Sequence, residues 1–307
     1  MRARITLFIF LLSLLLVSLS GQALAFVCNT EMPIVNFSSS SVYPGDYLVV
    51  YIENLTAEDE VVFSETFGAA NIDFYPCAKG QIALIGLHYD MPVKNYPLNV
   101  TIKRNNKKLF SYSQDIDLLI KPFSVQHLKV SSALSAMRDE KLLELDRQYT
   151  NQAKASSSAV PLWEGLFIQP LTGRISTEYG LIRYINGVYS GRHSGIDIAA
   201  SRGTEILAGN SGIIKMAREQ YVTGNTIIID HGLGLFSAYA HLESMLVKPH
   251  EKVKKGQVIG YVGSTGFSTG PHLHWTLSIR NIFVNPWLFL DQDPFYPLNS
   301  IISSSIK

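Results

Sequence analysis

The stretch Thr226-Ile-Ile-Ile-Asp230, His231-Gly-Leu-Gly234, Leu235-Phe-Ser-Ala-Tyr-Ala-His241 reads as two apolar strands joined by a glycine-bearing turn. Both flanks are rich in β-branched or aromatic residues, and the paired glycines supply the backbone freedom of an antiparallel hairpin. Gln257-Val-Ile-Gly-Tyr-Val262 and His272-Leu-His-Trp-Thr-Leu-Ser278 continue the strand signal with no long helical period between them. From Pro161 onward the chain is therefore expected to be antiparallel β. Upstream, Tyr47-Leu-Val-Val-Tyr-Ile52, Ile82-Ala-Leu-Ile-Gly-Leu87 and Leu98-Asn-Val-Thr-Ile-Lys103 are bounded by turn residues such as Pro44-Gly45-Asp46 and Asn105-Asn106. Short strands at this spacing predict a small β-sandwich. Residues 138–155 carry the one convincing helical pattern, with Leu142, Leu145 and Tyr149 recurring among charged residues before Ser156-Ser157-Ser158. This segment reads as a helical linker with a solvated face. The predicted fold class is mostly β, with an accessory β-sandwich over 26–127, a helical linker over 128–160, a C-terminal antiparallel β domain over 161–290 and a tail over 291–307.

Composition limits what such a chain can do. Its 307 residues suffice for two domains, and 47% hydrophobic with 17% charged residues describes a globular protein. Lys plus Arg number 26 against 25 for Asp plus Glu, so no bulk positive charge is available to hold nucleic acid. Residues 1–25 have the form of a removable signal peptide. Arg2 and Arg4 precede an apolar run over 7–19, and Ala23-Leu24-Ala25 fits a cleavage site. The run is shorter than the ~20 apolar residues of a spanning helix, so no retained membrane span is expected. Export places the chain in the periplasm, the cell envelope or the extracellular space, and there Cys28 and Cys77, the only cysteines, suggest one disulfide.

Six of the eight histidines fall between residues 193 and 274. His193-Ser-Gly-Ile-Asp197 offers an imidazole and a carboxylate, with Gly195 between them to let the backbone turn. His272-Leu-His274 puts two imidazoles on alternate positions of a strand, hence on one face. Tyr239-Ala-His241 is expected to repeat that device. A nitrogen and oxygen donor set without thiolate suits a catalytic zinc (Zn2+) with an open coordination position. His88, His127 and His231 are expected to be structural, and His250 an exposed loop residue.

These residues carry a family resemblance. His193-Ser-Gly-Ile-Asp197, Tyr239-Ala-His241-Leu242, Val253-Lys-Lys-Gly256-Gln-Val-Ile-Gly260, Gly263-Ser-Thr-Gly266 and Thr269-Gly-Pro-His272-Leu-His274-Trp275 resemble the lysostaphin-type (LytM-domain) zinc endopeptidases that cleave peptidoglycan cross-bridges. The match runs from about Trp163 to Trp287. More weakly, the stretch from Val42 to Leu98 resembles the immunoglobulin-like domain that precedes some exported members. The resemblance implies that His193, Asp197 and His274 are metal ligands and that His241 and His272 are unligated catalytic histidines. The sequence leaves open which of these two is the general base, and His272 is favoured because His274 fixes its strand at the metal. The resemblance also implies peptidoglycan peptide stems or cross-bridges as the partner. Pro249-His250-Glu251 departs from the family pattern, and Arg183 and Tyr189 are candidates for substrate contact. A non-catalytic peptidoglycan-binding or hydrolase-activating module of the same fold is the competing expectation.

Overall fold

The computed structural model describes residues 31–295 apart from 65, 66, 68–71 and 78. The proposed signal peptide and Cys28 lie outside the described residues. Two four-stranded sheets open the described chain. The strands are β1 (Ile34–Phe37), β2 (Ser41–Val42), β3 (Tyr47–Glu53), β4 (Asp59–Phe63), β5 (Tyr75–Cys77), β6 (Gly80–Gly86), β7 (Asn95–Arg104) and β8 (Lys107–Leu118). One sheet has the order β1-β3-β6-β5 and the other β2-β8-β7-β4. Between them Leu48, Val50 and Ile52 of β3 and Ile85 of β6 pack against Leu98, Val100 and Ile102 of β7 and Ile116 of β8.

The uninterrupted apolar runs of β3 and β6 have a second cause. The side chains that alternate away from the sandwich core, Val49, Tyr51, Ile82 and Leu84, enter the core of the C-terminal half, among Leu235, Leu277, Ile279 and Val284. The first sheet is thus a middle layer with both faces covered, which selects near-continuous hydrophobic strands. Tyr47 stacks on Phe289 at 4.9 Å and donates its hydroxyl to the Pro294 carbonyl, 3.2 Å away. Arg280 pairs with Asp73 across the same seam.

After β9 (Val125–Leu128) come two helices, α1 (Ser132–Ala136) and α2 (Glu140–Ala153). The predicted helix over 138–155 is α2, started by the Asp139 carboxylate accepting from the Lys141 N–H at 2.9 Å. Its expected solvated face is only part of its surface. Asp146, buried, accepts from the backbone N–H groups of Tyr221 and Val222 at 2.9 and 2.7 Å. Ala153 packs with Met216, Ile228 and Phe236, and Lys154 donates to Ser278 Oγ at 2.8 Å. Helical spacing alone shows a polar stripe here, and these long-range anchors are invisible to it.

The C-terminal half continues with β10 (Arg174–Thr177), β11 (Ile182–Ile185), β12 (Val188–Arg192), β13 (Ile196–Ala199), β14 (Glu205–Leu207), β15 (Gly212–Gln220), β16 (Gly224–Gly232), β17 (Leu235–Met245), β18 (Lys252–Val253), β19 (Val258–Val262), β20 (His272–Ile279), β21 (Ile282–Val284) and α3 (Trp287–Asp291). Ten of these strands form one sheet whose main path is β10-β13-β20-β17-β16-β15-β18, and β11 and β12 join β9 in a three-stranded sheet. The opening hairpin is β16–β17, and its turn has positive φ at both Leu233 (52°) and Gly234 (78°), the type I′ geometry that matches strand twist.

His231 is structural, as expected. Its Nδ1 donates to the Ser211 carbonyl at 2.8 Å, and its Nε2 accepts from Ser237 Oγ at 2.7 Å. Complete burial pushes its pKa down to about 4, against about 6.5 in an unfolded chain. The unfolded state therefore binds the extra proton between these values, and stability present above pH ~6.5 is lost as pH falls toward 4. The shift corresponds to about 3 kcal/mol. In urea titrations, the stability gap between wild type and His231→Gln should be largest near pH 7 and shrink by roughly this amount toward pH 4. A constant gap would contradict the assignment.

Candidate metal centre and active site

Strand register builds the centre. β13 and β20 pair antiparallel with Asp197 directly opposite His274 and Ala199 opposite His272. Opposed residues share a face, so the carboxylate and the imidazole meet without any special loop. Gly195 permits this approach for a reason other than a turn. A Cβ there would lie 2.1 Å from the Trp275 carbonyl oxygen, so only glycine lets the chain entering β13 lie this close to β20. His193 follows directly after β12, and its Nδ1 donates to the Glu178 carbonyl at 2.9 Å. Glu178 itself is held by the Trp287 indole N–H at 2.8 Å.

Three donor atoms converge as a result. His193 Nε2 lies 2.9 Å from Asp197 Oδ1 and 3.0 Å from His274 Nδ1, and His274 Nδ1 lies 2.8 Å from Asp197 Oδ1. The Glu178 carbonyl accepts from Nδ1, so Nε2 is the His193 nitrogen turned toward the Asp197 carboxylate. Two imidazole nitrogens and a carboxylate oxygen at these distances form a donor set that one cation can share. A tetrahedral ion with ~2.0–2.1 Å bonds would separate its ligands by about 3.3 Å, a small expansion from these distances, and the three residues form a cluster able to hold a metal ion. Burial would raise the Asp197 pKa, but its contacts with His193 and His274 outweigh it and hold the carboxyl ionised, well below the usual range. Arg183 lies 3.8 Å from its other oxygen. Burial pushes the His274 pKa down, which keeps a ligand lone pair available.

His272 and His241 stand beside the cluster. His272 shares a face with His274, as expected from strand alternation, and its Nε2 is 3.8 Å from Asp197 Oδ1. The alternation expected for Tyr239 and His241 does not hold. The register shifts between Asn225 and Ile227, opposite this part of β17, and His241 adopts φ 65°. This irregularity re-aims one side chain. Tyr239 stays in the core, accepting from the Gly209 N–H at 2.7 Å, while His241 faces the groove, its ring centre 4.9 Å from that of His272. His241 Nδ1 donates to the Thr265 carbonyl and His272 Nδ1 to the Gly270 carbonyl, both at 2.8 Å. Both Nε2 atoms are therefore left as acceptors in the neutral rings. Burial, then the neighbouring His272 and His274, push the His241 pKa down to about 3.

All five predicted site residues line one groove of about 290 Å³. Arg183 lines it as well. Tyr189 does not appear among the lining residues, and it is 55% exposed against Tyr184. Sequence reasoning missed Gln126, Leu128, Arg138 and Leu143, which line the groove from β9 and the helical segment. No local pattern announces them, because they reach the site only through long-range packing.

An open groove in a β-rich domain, with a His–Asp–His cluster and two further imidazoles, has the make-up of a metallopeptidase site. Residues 191–286 match peptidase family M23, and the chain carries a domain of that family. It is 42% identical over 93 residues to the peptidoglycan DD-endopeptidase ShyA of Vibrio cholerae serotype O1, covering 30% of this chain and 22% of that protein. It is 42% identical over 124 residues to the DD-carboxypeptidase/endopeptidase Mpg of Neisseria meningitidis serogroup B, covering 40% of this chain and 28% of that one. The chain thus spans less than a third of the length of these curated relatives. A crystal structure from Pseudomonas aeruginosa assigned to peptidase M23 shares the fold, with a TM-score of 0.53 and 24% identity over 75% of this chain and 92% of that chain.

Proposed function

We propose that this protein is an exported zinc-dependent endopeptidase that hydrolyses peptide cross-links of bacterial peptidoglycan in the periplasm or elsewhere in the cell envelope. In this reading residues 161–290 are the peptidase domain and residues 26–127 an accessory β-sandwich. The observation that carries it is the convergence of His193, Asp197 and His274 with His241 and His272 in one groove. The M23 match and the names of the two relatives support peptide bonds of peptidoglycan as the substrate. Among the described residues no helix is long and apolar enough to cross a membrane.

His193 Nε2, Asp197 Oδ1 and His274 Nδ1 would hold the zinc. When bound, the ion supplies Lewis acidity to the scissile carbonyl and acidifies the attacking water. The protein's own groups do the rest. His272 presents Nε2 as an acceptor, so it takes the water proton and returns it to the departing amine. The Gly270 carbonyl keeps its ring in the tautomer this requires. His241 lies across from it, its ring fixed by the Thr265 carbonyl, and its Nε2 offers a second acceptor that orients the attacking water. Asp197 balances the cationic charge of the centre, and Arg183 steadies its second oxygen.

The test uses purified sacculi and the protein lacking residues 1–25. Muropeptide release should stop with a chelator and return when zinc is restored. Release that persists in the chelator would end the metallopeptidase reading. Binding without release by the zinc-loaded protein would favour a non-catalytic module.

A further inference from the structure

The groove that holds the metal centre is electrostatically lopsided. Its lining includes Arg138, Arg183 and Arg192, against one carboxylate, Asp197. Arg192 is neutralised by Asp90. Arg183 donates from Nε to Gln126 Oε1 at 2.9 Å and lies near Asp197. Arg138 has no acidic partner among the described residues. Its sequence neighbours are turned elsewhere, Asp139 capping α2 through the Lys141 N–H and Glu140 pairing with Arg147.

Arg138 is nonetheless firmly placed. It sits in the turn between α1 and α2, where Leu134, Met137, Leu142 and Leu143 pack on Ile185, Val222 and Phe267. Its guanidinium carbon lies 5.2 Å from the centre of the Phe267 ring, which also lines the groove. Burial, then the charge of Arg183, work against it, and its pKa is lowered accordingly. Two guanidiniums held in a half-buried groove repel one another, and an anion seated between them would relieve this. A planar guanidinium with its fork unused matches a carboxylate bidentately.

We propose that Arg138, with Arg183 beside it, binds a free carboxylate of the peptide substrate and so selects which peptides are cut. The inference rests on the peptidase reading above. The carboxylate has two sources, a chain terminus or an acidic side chain, and both share this chemistry. The helical segment before the M23 match thereby completes the substrate groove.

The experiment measures binding apart from cleavage. A fluorescent cross-linked peptide is prepared with both carboxylates free, with only the C-terminus amidated, and with only the side chain amidated. Each is titrated by anisotropy into zinc-loaded His272→Ala protein, which retains the groove. Amidating the recognised carboxylate should weaken binding by about 10- to 100-fold, the scale of a charge-assisted bidentate contact. Adding Arg138→Ala should bring that ratio close to one, while Arg138→Lys should keep part of it. Zinc content and melting temperature identify variants that have lost the fold. Indifference to both amidations, an undiminished ratio in Arg138→Ala, or no binding of the free peptide up to millimolar concentration would each overturn the proposal. If discrimination holds but the zinc-loaded wild type cleaves none of the three peptides, the peptidase reading falls and the carboxylate site stands.

Discussion

Protein carrying His193→Ala should purify with almost no zinc and hydrolyse cross-linked peptide at least about a thousand-fold more slowly than wild type. Removing a group that merely orients a ligand typically costs 10- to 100-fold in metal affinity. Deleting the ligand itself costs more, since two donors remain. His193 is also the donor whose position is most constrained. Its Nδ1 is tied to the Glu178 carbonyl, its ring is 4% exposed, and its Nε2 touches both other ligand atoms. With the ion gone, the several kcal/mol of carbonyl and water activation it supplies is lost, at about 1.4 kcal/mol per factor of ten in rate. Asp197→Asn tests the same centre with little change in volume. It removes the negative charge that balances the site and should fail to retain zinc after dialysis. Metal analysis with peptide kinetics decides the matter. A His193→Ala protein that keeps one zinc per chain and near-normal turnover would dismantle the assignment of the centre.

Much of this site was legible because its geometry is local or follows from strand periodicity. His272 and His274 share a face since side chains alternate in β20, and the five residues from His193 to Asp197 place one imidazole and one carboxylate at the start of a single strand. What escaped depends on departures from regularity or on distant contacts. The alternation that works on β20 fails on β17, where irregular register and φ 65° send Tyr239 inward and His241 to the groove. The motif glycine, Gly195, answers to the Trp275 carbonyl, a residue 80 positions away that no inspection of the motif reveals. The segment read as a linker is docked by Asp146, Ala153 and Lys154, and its Arg138 reaches the groove. A helical pattern reports which face is apolar but not what the few buried polar groups will meet. The two faces of β3 were likewise indistinguishable in sequence, because a run of six apolar residues reads the same whether one sheet or two layers cover it.

Replacing His272 should have the opposite signature to replacing His193. His272→Ala should retain its zinc and lose about 10²- to 10⁴-fold in kcat, the usual worth of a positioned proton-transfer group, with little change in KM. The structure sets this contrast. His272 shares a strand face with His274, yet its Nε2 stays 3.8 Å from Asp197 Oδ1, outside the cluster of mutual contacts at 2.8 to 3.0 Å. Its proton sits on Nδ1 against the Gly270 carbonyl, leaving Nε2 to accept. His241 requires a different substitution. Its left-handed backbone suits asparagine better than alanine, so His241→Asn separates the loss of the imidazole from backbone strain. That variant should also keep the metal and lose turnover. If the two rings act on the same proton-transfer sequence, the double variant should be scarcely slower than the worse single one, because groups working as a unit are not additive. Multiplying losses would instead show that His241 and His272 serve independent steps. Loss of zinc from His272→Ala would move His272 into the ligand set and leave His241 as the base.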